Sequence, residues 1–173
     1  MTFGPDEFDI EELKALLQLT RHGQEGGFFA ETYRSDLLFP NASAKEGGVK
    51  ARSIATAIYY LLTPTSVSML HRIPWDEIFH FYLGDPVEML QLYPDGSGRR
   101  WALGSDPRKG LRPQLIVPAG VWQGSRLLPG GRFSLLGTTM APGFEPIDFE
   151  AGEREILSAI YPEFAAEIAA LTR

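Results

Sequence analysis

The chain contains no cysteine, which removes disulfides, thiolate nucleophiles and cysteinyl metal sites together. That composition fits a reducing compartment, and the cytosol is the expected location. No apolar run approaches the ~20 residues that cross a bilayer as a helix. Basic residues are outnumbered, 16 Lys and Arg against 22 Asp and Glu for a net charge of −6, and they are scattered along the chain. Nucleic acids and anionic membrane surfaces reward a basic stripe that releases counterions, so neither partner is expected. Arg99-Arg100 and Arg108-Lys109 read as solvated loop charges. Neither a Gly-x-Ser-x-Gly elbow nor a Walker loop occurs. The opening Met1-Thr2-Phe3-Gly4-Pro5-Asp6-Glu7 lacks the basic and apolar regions of a secretion signal, and residues 1–8 read as a flexible lead-in.

What the chain does have is enough apolar residues for a core, 44% hydrophobic with 12% aromatic, and a length of 173 residues that suits one domain. Residues 9–19 read as a helix: Ile10, Leu13, Leu16 and Leu17 share a face, and Asp9 with Glu12 has capping-box spacing. Gly23 to Gly27 breaks that pattern, and Gly26-Gly27 reads as a backbone turn entering the extended segment 28–34. After the polar loop 41–48 come short strand candidates at 54–62, 67–72, 77–83, 87–93, 114–117, 121–126 and 133–140, separated by Gly- and Pro-containing turns. From residue 148 onward Ile156, Leu157, Ile160, Phe164, Ile168 and Leu171 return to helical spacing around a break at Tyr161-Pro162. The expectation is all-β, an antiparallel sandwich or barrel with core 28–144, a helix before it and helices over 148–173, in one domain spanning 1–173.

Chemistry concentrates at His71-Arg72-Ile73-Pro74-Trp75-Asp76-Glu77-Ile78-Phe79-His80-Phe81-Tyr82-Leu83-Gly84. A strand ending in His, a tight turn and a Glu opening the next strand carry an imidazole and a carboxylate toward one cavity, as an acid/base or metal-binding pair; a salt-bridged pair closing the hairpin is the structural alternative. Strand alternation puts Glu77, Phe79, Phe81 and Leu83 on one face and Ile78, His80 and Tyr82 on the other, so His80 reaches the pocket only through a bulge and otherwise faces a second sheet or a dimer partner.

This stretch resembles the first motif of the cupin superfamily, His-x-His followed by Glu and later by Gly. His71, Glu77 and Gly84 fall on the pattern, and Ile73 stands where the second His is expected. Pro118-Ala119-Gly120-Val121-Trp122-Gln123 is similar to the second motif, with Gln123 at the position of its His. Glu25-Gly26-Gly27-Phe28-Phe29, Glu31-Thr32-Tyr33-Arg34-Ser35, Asp76-Glu77-Ile78-Phe79-His80 and Ala141-Pro142-Gly143-Phe144 further resemble one uncharacterised branch, catalogued as a domain of unknown function. That branch usually reads His-Pro-Glu-Gly-Gly where this chain has His22-Gly23-Gln24-Glu25-Gly26-Gly27. The resemblance implies a double-stranded β-helix, or jelly roll, with an added N-terminal helix and a tendency to dimerise. Its metal centre is three His and one Glu, of which only His71 and Glu77 remain, so no cofactor is expected.

The leading expectation is a pocket at the barrel mouth for a small polar metabolite, such as a sugar nucleotide or a carbonyl compound, worked on without a metal. By fold-level analogy with jelly-roll sugar epimerases, His71 abstracts a proton, Glu77 orients or tunes it, and Tyr82 or Tyr60 is the acid, giving isomerisation, epimerisation or elimination. Gln123, His80, Arg34, Tyr60, Phe79 and Trp122 are candidate ligand contacts. Arg34 either clamps an anionic group or pairs with an acidic neighbour; Glu31, three residues away on an extended segment, is not expected to share its face. The alternatives are a non-catalytic binding or sensing cupin, and a weak divalent-metal enzyme with His71, Glu77 and Gln123 as ligands. A homodimer is the expected assembly.

Overall fold

The computed structural model describes residues 9–40 and 51–173. The expected lead-in and the polar loop 41–48 lie outside them. Helix α1 (Ile10–Leu16) starts as its sequence directs, with the Asp9 side chain accepting the backbone N–H groups of Glu11 and Glu12. It ends before residue 19 because Gln18 turns left-handed, at φ 53°, which drops Leu19 into the core.

Thirteen strands follow among the described residues, making an antiparallel jelly roll. The larger sheet orders β1 (Thr20–Arg21), β2 (Phe28–Arg34), β5 (Thr56–Leu62), β12 (Ser134–Met140), β7 (Glu77–Gly84) and β10 (Gln114–Val117). The second orders β13 (Glu150–Ala151), β6 (Ser68–Arg72), β11 (Trp122–Leu127), β8 (Val87–Leu92) and β9 (Gly98–Leu103). A hairpin of β3 (Leu38–Pro40) and β4 (Ala51–Ser53) stands apart. Strand β9 corrects the reading of Arg99-Arg100 as loop charges: both residues lie on this edge strand and are exposed. Two arginines in so short a run mask the alternation that marks a strand.

Three apolar layers hold the molecule together. Between the sheets, Tyr60, Leu62, Phe79, Met89, Leu103 and Leu136 interlock. Outside the larger sheet, Leu13 and Leu19 pack on Leu61, Phe133 and Leu135. Outside the smaller sheet, α2 (Arg154–Ile160) and α3 (Ala165–Ala170), joined through a 3₁₀ turn at Pro162–Phe164, set Leu157, Phe164 and Ile168 against Leu70, Leu90 and Leu92. No helix among the described residues is long and apolar enough to cross a membrane.

Three bulges break the two-residue alternation. On β2 the register with β5 shifts between Glu31 and Tyr33, so Arg34 comes round to the side of Glu31 and binds its carboxylate with two N–H groups, at 2.9 and 2.8 Å. This corrects the expectation that the two residues stay on different faces. On β7 an extra residue at Tyr82 shifts the pairing with β12, and Leu83 leaves the interior face of Phe79 and Phe81 to join the layer under α1. On β6 the third bulge shapes the site.

Candidate functional site

The mouth of the barrel is built from a loop and three strands. The loop His22–Gly27 closes on itself, with Gly26 N–H donating to the His22 carbonyl and the Glu25 N–H donating to His22 Nδ1. Gly26 and Gly27 have positive φ, and a Cβ on Gly26 would sit 2.4 Å from the Val67 carbonyl oxygen. The turn thereby carries Glu25 to the start of β6, where the Ser68 hydroxyl donates to its carboxylate at 2.7 Å.

On β6, His71 is paired with Gln123 while Ser68 is paired with Ser125. Residues three apart on a regular strand point to opposite faces; the bulge between them turns both inward. His71 Nδ1 lies 2.7 Å from the Met69 carbonyl oxygen, which can only accept, so Nδ1 carries the proton and Nε2 faces the cavity as an acceptor. Phe149 stacks behind the ring, 5.0 Å between centroids at 20°. Glu77 enters from the first position of β7 and Gln123 from the second of β11.

These side chains meet through one amide. The Gln123 NH₂ group donates to Glu77 Oε2 at 2.5 Å and to His71 Nε2 at 3.3 Å. All three residues are buried, at 1%, 7% and 2% exposure respectively. The Glu25 carboxylate stands 4.0 Å from His71 Nε2 on the other side. Burial, with the Glu25 charge added, pushes the Glu77 carboxyl from its ordinary 4.5 up to about 7, against the opposing pull of His71 and of hydrogen bonds from Gln123 and Thr138. Tyr60, whose hydroxyl donates to the Gly26 carbonyl at 2.9 Å, is held well above the usual phenol range by burial first and the Glu25 charge second.

Glu25, His71 and Glu77 face a cavity of about 70 Å³, with the Gln123 amide behind them. Glu25, His71, Glu77 and Thr138 supply polar lining, and Phe29, Ile58, Ile73, Met140, Phe144 and Phe149 the apolar walls. His22 reaches the lining despite its shifted place in the loop, its ring edge against Phe29. Glu25, Ser68, Thr138 and Phe149 are not among the site residues the sequence pointed to; for Glu25 the signal was its place in the Glu25-Gly26-Gly27-Phe28-Phe29 motif, immediately before the turn.

Of the sequence candidates, His71, Glu77 and Gln123 come together and Tyr60 adjoins them through Gly26 and the Glu25 charge. The others lie elsewhere. Tyr82 is corrected outright: it is 49% exposed on the outer face, edge-on to Tyr59 and stacked on His80. His80 also faces outward, its ring nitrogens near Gln114 and Thr139, because the bulge on β7 falls two residues beyond it. Phe79 belongs to the core between the sheets. Trp122 faces the C-terminal helices, with Arg72 over its ring at 4.5 Å. Arg34 is occupied at the rim by Glu31, Glu145 and the Phe144 carbonyl, leaving no free fork for a ligand anion.

The donor set does not fit the three-His, one-Glu metal centre. Ile73 offers no lone pair, and the Gln123 N–H groups point at the very atoms of His71 and Glu77 that would bind a metal. Among the described residues no group of three or more His, Asp or Glu side chains is arranged to hold a metal ion.

A jelly roll with helices packed outside both sheets and a buried polar cluster at one mouth has the architecture of the cupin class. The chain belongs to the cupin superfamily family DUF985, whose model matches residues 11–152. It is 36% identical to the uncharacterized protein YML079W of Saccharomyces cerevisiae, covering 89% of this chain and 81% of that one. Among solved structures it is similar to protein SO0799 of Shewanella oneidensis, with TM-score 0.84, 34% identity, and 96% and 98% of the two chains covered. A hypothetical protein from Leishmania major is similar at TM-score 0.85 and 29% identity, over 95% and 99%. The fold extends to oxalate decarboxylase from Bacillus subtilis, at TM-score 0.53 and 13% identity, over 88% of this chain and 37% of that one.

Proposed function

We propose that this cupin binds a small polar metabolite at the barrel mouth and moves a proton on it without a metal, with His71 as base and Glu77 as acid. The observation that carries the reading is the Gln123 amide, which joins His71 Nε2 and the Glu77 carboxyl in one buried set. Once a ligand displaces the Gln123 amide, His71 Nε2 offers it a lone pair, and a carboxyl titrating near 7 exchanges protons at neutral pH with little driving-force penalty. Tyr60 is a poor acid here, since its phenol is shifted away from neutrality and its proton is given to Gly26. The matching reactions are isomerisation, epimerisation or elimination next to a carbonyl.

A non-catalytic binding role is the second reading. The same amide occupies the lone pairs of both groups, so a ligand must displace it before chemistry starts, whereas a sensor needs only to compete with it.

The test is incubation with a cell metabolite extract in D₂O, followed by mass spectrometry. Wild-type protein should install solvent deuterium in one compound over many turnovers, and His71→Ala and Glu77→Gln should not, while both remain folded. A compound retained but never exchanged would leave binding alone, and unfolding of both variants would make the pair structural.

The expected assembly is a homodimer. Leu16, Leu17, Tyr59, Tyr82 and Leu83 line an open apolar groove on the outer face of the larger sheet, a surface suited to a second copy. Sedimentation of wild type and Leu16→Glu tests it: a dimer that the variant splits is expected, and a wild-type monomer would end the idea. The cysteine-free composition supports the cytosol as the compartment.

A further inference from the structure

The charges around the cavity are one-sided. Its lining carries Glu25, Glu31 and Glu77 and, among the described residues, no lysine or arginine. Glu31 is answered at the rim by Arg34, at 2.8 Å. Glu25 and Glu77 have no such counter-charge among the described residues: Glu25 accepts from the Ser68 hydroxyl and lies 4.0 Å from His71 Nε2, and Glu77 is met by Gln123, Thr138 and the same imidazole. The charged groups of the lining are acceptors, and beside Glu25 and Glu77 stands His71 Nε2, which accepts from the Gln123 amide. The walls between them include the rings of Phe29, Phe144 and Phe149.

Resting on the reading of this cavity as a ligand site, we propose that its ligand is a small organic ammonium ion, a protonated amine on a short apolar body. An ammonium carries three donors and no acceptor, which matches the two carboxylates and, once it takes the place of the Gln123 amide, His71 Nε2. Its charge relieves the mutual repulsion of Glu25 and Glu77, and aromatic faces attract cations from the side. The apolar body meets Ile58, Ile73 and Met140. A sugar nucleotide, named above as an expectation, brings a diphosphate against two unanswered carboxylates and is disfavoured. A hydrated divalent cation shares the charge but makes no use of the apolar walls.

Thermal-shift and calorimetric titrations at fixed ionic strength and pH 7.5 test the proposal with matched probes: ethanolamine against glycolate, and isobutylamine against isobutyrate and isobutanol. At several times Kd the amines should raise Tm by roughly 2–4 °C, and the carboxylates and the alcohol should not. Glu25→Gln keeps a hydrogen-bond partner for Ser68 and should weaken the amines roughly tenfold or more. No amine response, or an equal response to the carboxylates, overturns the proposal. So does saturation by Mn²⁺ that excludes the amines, which would assign the carboxylates to a metal. If the glycolate, isobutyrate or alcohol probe binds and Gln123→Leu abolishes it, the ligand site stands and only the ammonium falls. If no probe of any charge binds, the reading of the cavity as a ligand site falls with it.

Discussion

Two glutamines face each other across β8 and β11 and live in different chemistry. Gln91 and Gln123 are directly paired in the sheet, both face the barrel interior, and each is 1% exposed. Gln91 donates to the Ile116 carbonyl at 3.0 Å and accepts from the Tyr93 hydroxyl at 2.7 Å and the Trp101 indole N–H at 3.2 Å. Its partners are a backbone carbonyl, a phenol and an indole, all satisfied by the one amide, which acts as a fixed strut. Gln123 instead spans an imidazole and a carboxyl, both of which exchange protons. Burial and residue type are the same; the partners decide whether a buried amide stabilises the fold or couples two titratable groups.

The largest expected effect falls on the Gln123 side. Once a turned-over compound is identified, His71→Ala and Glu77→Gln should each lower its turnover by roughly 10²–10⁴-fold, read by the deuterium assay, while Gln91→Leu leaves it within a few-fold. Comparable losses in all three would erase the contrast.

Stability should respond in the opposite order. Gln91→Leu strands the Tyr93 hydroxyl, the Trp101 N–H and the Ile116 carbonyl, costing about 3 kcal/mol, or a fall in Tm of roughly 6–12 °C for a chain of this length. Differential scanning calorimetry decides it, and an unchanged Tm would mean that Gln91 is not a strut.

The third effect depends on pH. Folded Glu77 titrates at about 7 against an ordinary 4.5, so between those values the folded state holds a proton that the unfolded chain has lost. Stability from this group is therefore full below about pH 4.5 and declines as pH rises through about 7, by about 3 kcal/mol in all. Glu77→Gln has no such proton, so its Tm should gain on that of wild type over this window and run parallel above it. Parallel curves throughout would refute the buried carboxyl, and Gln91→Leu should leave the slope untouched.

The smallest effects sharpen the boundary of the site. Tyr60→Phe loses one hydrogen bond to Gly26 and should cost about 1 kcal/mol without abolishing turnover. Tyr82→Phe, on the outer face, should stay within about 0.5 kcal/mol and leave deuterium exchange unaffected; a large loss of exchange would return Tyr82 to the site.

Much of this molecule is written in local pattern. Gly and Pro punctuation marked seven of the strands, helical spacing marked the segments at both ends, and the His71–Glu77 hairpin with Gln123 stood out as the polar cluster, with Ile73 in place of a ligand. These signals survive in a linear reading because strand alternation, helical period and turn chemistry depend on near neighbours. What the tertiary structure alone decided is where side chains point. The bulge at β6 turns both Ser68 and His71 inward, the one at β2 brings Arg34 back onto Glu31, and the one at β7 keeps Leu83 out of the interior and leaves His80 outside. Each bulge is set by register with a strand distant in the chain, which no local pattern records. The approach of Glu25 to His71 depends on that long-range register in the same way, and with it the charge of the pocket.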